Sequence, residues 1–177
     1  MPTTEIAAEL IYRQGQEGLL IQEAEHATWQ YMPLGIPGLL QNPDYARAVH
    51  TQLPHLGEAS QEQVRLRMQR AEQMRALPHL YHRFVLGSVT LAHPTPVMRA
   101  QLAHLQELDQ LPHIEIRVLP AGPVITDPSG FTLRADQVWI EAADLYFTAP
   151  GHRALWHAEW DRLWSKSAPL NAAEVFS

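Results

Sequence analysis

The sequence predicts an α+β (mixed α/β) fold: one mixed sheet of four to five strands covered by helices, behind a helical N-terminal third. Three observations predict it. Apolar residues recur at helical spacing in several segments. Short apolar or alternating runs stand at 84–86, 114–118, 131–134, 138–141 and 145–148. The strand–helix–strand unit from Phe84 to Val118 calls for a parallel pair with a right-handed crossover, whereas the closely spaced later strands call for antiparallel pairing.

In the first thirty residues Ile6, Leu10, Leu20, Ile21, Ala24 and Trp29 are separated mainly by Glu, Gln and Arg, which reads as helix. Gly15 and Gly18 weaken its middle. From Tyr31 to Gln41, two prolines and two glycines forbid a regular helix interior, so an ordered apolar loop is expected. Leu39 or Leu40 should be buried there, with Tyr45 packed nearby. Asn42 then caps a helix with Pro43 at its first position. Ser60 and Gln63 form a capping box, and the helix they open ends before Pro78. Thr95, followed by Pro96, caps a helix whose buried stripe is Met98, Leu102, Leu105 and Leu108. A last helix runs from about His152 to Ser167, with Trp156, Trp160 and Trp164 on one face; core packing of those indoles is the first expectation.

The 177 residues are expected to form a single domain, with 1–22 as a helical extension and 23–170 as the binding unit. Thirteen Lys+Arg against 19 Asp+Glu give a net charge of -6, and such a surface repels phosphate backbones, so no direct nucleic-acid binding is expected. The absence of cysteine excludes disulfides, thiol catalysis and Cys–zinc sites. No apolar run approaches a membrane span, so no membrane partner and a cytoplasmic location are expected.

Ten histidines are many for this length, yet none falls into a metal-binding spacing, and no metal is expected. No phosphate loop, dinucleotide fingerprint or nucleophile elbow is present, so no cofactor is expected. Strand ends meeting loops favour a cavity. The expected lining is Tyr31, Leu39, Tyr45, Phe84, Trp139 and Trp156, with His82, Arg83 and Glu141 as polar groups. His82 and Glu141 are the acid–base candidates should catalysis occur, His82 titrating near neutral pH. An Arg83–Glu141 bridge is the structural alternative.

The segment Ile36-Pro37-Gly38-Leu39-Leu40-Gln41-Asn42-Pro43-Asp44-Tyr45-Ala46-Arg47-Ala48 resembles the I/V-P-G-L-L-Q-T-x-x-Y-A-R-A signature of a domain family of unknown function. That domain usually follows a helix-turn-helix domain in actinobacterial, Xre-type, antitoxin-like regulators. Glu23-Ala24-Glu25, Trp29-Gln30-Tyr31, Val97–Leu105, Leu111–Pro120, Phe131–Leu133, Val138–Glu141 and Trp160–Leu163 follow in the family's order, so the resemblance covers about residues 20–170. In one place the chain departs from it. Where the family has V-L-D-E-x-x-L, this sequence reads Val85-Leu86-Gly87-Ser88-Val89-Thr90-Leu91, without the two carboxylates. The family's helix-turn-helix head also does not precede the match in this sequence.

The resemblance implies a regulatory-type module that binds a small molecule or a small partner protein, with a homodimer as a further possibility. The alternative is a stand-alone, cofactor-independent enzyme of natural-product biosynthesis, of cyclase, isomerase or hydrolase type, working through a shaped pocket and a His/Glu acid–base group.

Overall fold

The computed structural model describes residues 13–14, 16–52, 61–92, 95–121, 130–142, 145–148 and 153–172. Their strands are β1 (Arg13–Gln14), β2 (Thr28–Met32), β3 (His82–Gly87), β4 (Ile114–Leu119), β5 (Phe131–Arg134), β6 (Gln137–Ala142), β7 (Leu145–Thr148) and β8 (Ala168–Pro169). The helices are α1 (Gln16–Glu25), α2 (Pro43–Gln52), α3 (Gln61–Ala76), α4 (Ser88–Leu91), α5 (Pro96–Leu108) and α6 (Arg153–Lys166). The fold is α+β with one mixed sheet, in the order β1-β7-β6-β5-β2-β3-β4-β8. Six strands of four to six residues form its body, and a two-residue strand extends each edge, so the sheet is wider than the four to five strands expected. No helix among the described residues is long and apolar enough to cross a membrane.

The β3–β4 pair is parallel across α5, and β5, β6 and β7 pair antiparallel, as the spacing predicts. The helical reading of the N-terminal third is corrected. Arg13–Gln14 pair with β7, and α1 ends at Glu25. Trp29, Tyr31 and Met32 lie in neither helix nor loop but in β2, which sits in the middle of the sheet between β5 and parallel β3. Its aromatic and β-branched residues suit a strand. The signal is hidden because Thr28 and Gln30, both buried, occupy one face, so the usual apolar-in, polar-out alternation fails. Ser60, the expected cap of α3, lies outside the described residues, as do Ile6, Leu10 and His152.

Both faces of the sheet are covered. Phe84, Leu86, Ile116 and Val118 pack under Leu39, Leu40, Met74 and Leu105, that is, under the apolar loop, α3 and α5. On the other face Tyr31, Val85, Phe131, Leu133 and Val138 pack under Trp160 and Leu163 of α6. Phe84, Val85 and Leu86 are all fully buried, which explains why β3 reads as an unbroken apolar run. Trp156 and Trp164 lie partly buried at the edge of the α6 cluster.

Two caps form as expected. Thr95 Oγ1 accepts from the Met98 amide at 3.2 Å, and Asn42 Oδ1 from the Tyr45 amide at 2.8 Å. The loop before α2 is a single 3-10 turn, Gly38–Leu40, pinned from several sides. Gln41 Nε2 donates to the Ile36 carbonyl (2.7 Å) and Arg67 Nη1 to Gln41 Oε1 (2.9 Å). Gln101 Nε2 donates to the Leu40 carbonyl (2.7 Å), while its Oε1 accepts from the Asn42 amide (2.8 Å). Leu39 and Leu40 are buried, and Tyr45 packs against the same cluster. The apolar signature is therefore a core plug.

Gly87 lies directly against the backbone of the loop after β2. A Cβ at this position would stand 2.2 Å from the Pro33 carbonyl oxygen. The loop after β2 leans over the end of β3 and is strapped there by Thr90, whose Oγ1 accepts from the Gly35 amide at 2.9 Å. An aspartate at residue 87 would have to push that backbone away.

Candidate functional site

Two adjoining features stand at the end of the sheet's central strands, where β2 begins and β5 ends. The first is a buried polar chain. Glu23, on the inner face of α1, is 1% exposed and accepts from Arg70 Nε at 2.8 Å and Arg70 Nη2 at 2.7 Å. Arg134 Nη2, from the end of β5, reaches the same carboxylate at 2.8 Å. Arg134 also donates to Thr28 Oγ1 at 3.2 Å, and the Thr28 amide donates to His82 Nδ1 at 3.2 Å. One carboxylate thus ties α1 to α3 and to the sheet. Burial works to raise the Glu23 pKa, but the facing Arg70 and Arg134 outweigh it and hold the carboxyl below the usual range.

His82 is fully buried. Because Nδ1 accepts the Thr28 amide, the neutral ring carries its proton on Nε2, which has no hydrogen-bond partner. Burial first, then the neighbouring His113, pushes its pKa down to about 4, with Glu23 opposing. The expectation that His82 titrates near neutral pH is corrected on that ground. A consequence for stability follows by linkage. Between the ordinary value of 6.5 and about 4, the unfolded chain binds a proton that the native His82 does not. Stability contributed by this site is complete above pH 6.5 and falls as the pH drops through that window, by about 1.4 kcal/mol per pH unit. Urea denaturation at pH 7, 6 and 5 should show this slope in the native chain and a shallower one in His82→Gln. Equal slopes would mean that the buried imidazole carries none of it.

The second feature is an open cleft of about 370 Å³, lined by the chain turn Glu25–His26–Ala27, by Trp29, by Leu133–Arg134–Ala135 and by Arg153 and His157 of α6. Its wall is apolar: Trp29 stacks on Trp160 at 5.7 Å and meets the His157 ring edge-on at 6.3 Å. Its rim is polar. Arg153 Nη1 donates to Asp136 Oδ1 at 2.8 Å, and Arg153 Nε to His157 Nε2 at 3.4 Å. Ala135, in the β5–β6 turn, has φ +50°, a left-handed conformation that a residue other than glycine adopts at a cost. Arg134 belongs to both features, so one guanidinium joins the cleft wall to the buried chain. Among the described residues no group of three His, Asp or Glu side chains is placed to hold a metal ion.

The residues expected to line one cavity are dispersed by the sheet. Tyr31 and Trp156 belong to the α6 face. Leu39, Tyr45 and Phe84 belong to the opposite face, and Trp139 packs there with Leu19 of α1. The register makes this unavoidable: Tyr31 pairs with Val85, so neighbouring Phe84 points the other way. Arg83 stacks over Trp29, Tyr81 and Trp164. Glu141 lies in β6, and its side chain is outside what is described. Glu25, Trp29 and Leu133 fall in segments that follow the family's order, but no chemical motif links the cleft residues. The abundance of histidine and the position of His157 on the tryptophan-bearing helix are further sequence signals toward them.

The family model described as "Domain of unknown function (DUF5753)" matches residues 20–176, and the chain belongs to that family. No curated protein matches the chain.

Proposed function

We propose that this chain is a receiver module that binds a small organic ligand in the cleft between the α1–β2 turn, the β5–β6 turn and α6. The cleft itself carries this reading: an indole wall and a rim of Glu25, His26, Arg153 and His157 suit a molecule with an apolar ring and a hydrogen-bonding end. Arg134 gives binding a route to the helical layer, because a ligand touching this guanidinium touches the partner of Glu23. The resemblance to domains that follow a helix-turn-helix head supports a regulatory use for such a receiver. The acid–base alternative draws less support, because His82 is sealed and held neutral.

The test is mass spectrometry of small molecules released on denaturing the purified chain, compared with His157→Ala and Arg153→Ala. A compound retained by the native chain should fall at least tenfold in both variants. Equal retention by a folded His157→Ala chain would place the ligand elsewhere.

A further inference from the structure

The chain turn Glu25–His26–Ala27, one wall of the cleft, is anchored at both ends by buried groups. On its α1 side Glu23 is held by Arg70 and Arg134. On its β2 side stands Thr28, fully buried and held twice. Its hydroxyl accepts from Arg134 at 3.2 Å, and its amide donates to His82 Nδ1 at 3.2 Å. That amide is the first of β2, and it goes to a side chain 54 residues away instead of to a strand carbonyl. The next residue, Trp29, carries the indole of the cleft wall.

We propose that His82 is a positioning residue of the cleft: its Nδ1 takes the Thr28 amide, fixes the Glu25–Ala27 turn against β3 and so sets the wall that Trp29 completes. The inference rests on the reading of the cleft as the binding site. Its basis is the chemistry of the acceptor. An imidazole accepts only through a nitrogen that carries no proton, so Nδ1 serves only while the ring is neutral. A protonated ring would set N–H against N–H and leave the Thr28 amide without an acceptor in a buried place. The surroundings keep the ring neutral. Burial, His113 before β4 and Arg134 of β5 all disfavour a positive charge there. Glu23 of α1 opposes them, but its carboxylate is committed to Arg134 and to Arg70 of α3. The turn is therefore held at neutral pH and released as the ring takes up a proton.

The test is residue-resolved hydrogen exchange by NMR on the full chain with no compound added, each rate divided by that of an unstructured peptide at the same pH. Whether the cleft retains a small molecule does not enter the result. In the native chain, protection of the Thr28 amide should fall at least tenfold between pH 6 and pH 4.5. It should also stay at least tenfold below that of Val85, in the middle of β3, which is the mark of a local opening. The His26 amide, which donates to the Gln22 carbonyl, should follow Thr28. His82→Asn sets an amide oxygen where Nδ1 stands and does not titrate, so it should keep the pH 6 protection at both pH values. His82→Gln carries its amide past that point and should lose at least tenfold of the protection at pH 6. A flat native profile overturns the proposal, as does one shared rate for Thr28 and Val85, which would mean that the ring holds only the sheet as a whole. So do release of Thr28 without His26, native pH dependence in His82→Asn, or native protection in folded His82→Gln. Should His82→Gln not fold, the native profile and His82→Asn decide.

Discussion

Glu23→Gln should destabilise the protein by about 3–5 kcal/mol, the range for breaking a buried ion pair by removing one partner. The carboxylate is 1% exposed, and the side chains of Arg70 and Arg134 are 4% exposed. Three charge-assisted hydrogen bonds converge on it, at 2.7–2.8 Å. Glutamine keeps the shape and removes the charge, so both guanidinium groups lose their shared counter-ion in a place water does not reach. The pair Arg70–Glu23 spans 47 residues of sequence and Arg134–Glu23 spans 111, so the loss loosens α1 from α3 and from β5 together. Denaturant titration should show a lower midpoint with an unchanged slope. A loss below 1 kcal/mol would mean that water or repacking replaces the carboxylate.

The same chain of residues shows where sequence reasoning stops. Charged residues read as solvated face, yet Glu23, Arg70 and Arg134 come from α1, α3 and β5 and meet only once the sheet is assembled. Their burial in turn disguised β2, because Thr28 faces Arg134 instead of an apolar core. Local signals fared better. Asn42–Pro43 and Thr95–Pro96 start helices because capping needs only neighbours, and β4 alternates with the period of two. Residue type and order nominate candidate site residues, and type cannot say which face of a strand a residue takes. Tyr31 and Phe84 lie on adjacent strands, but a one-residue offset in register puts the sheet between them. The cleft was not legible because His26 and His157 are brought to one wall only by the packing of α6 against β2 and β5.

Leu40→Ala should cost about 2–5 kcal/mol, and the structure argues for the upper part of that range. Leu40 is fully buried and belongs to the cluster of Phe84, Leu86, Leu105 and Ile116. The cost of such a truncation depends on how far the surroundings can close over the missing methyl groups. Here they are held back. Gln101 fixes the Leu40 carbonyl, Gln41 fixes Ile36, and Arg67 fixes Gln41, so the turn has little freedom to sink toward β3. The exposed Leu34, 64% accessible, is the internal comparison, and Leu34→Ala should change stability by no more than about 0.5 kcal/mol. Both variants can be measured by urea denaturation in the same buffer. A Leu40→Ala loss as small as that of Leu34→Ala would mean that the loop collapses freely and that its hydrogen bonds do not hold the plug in place.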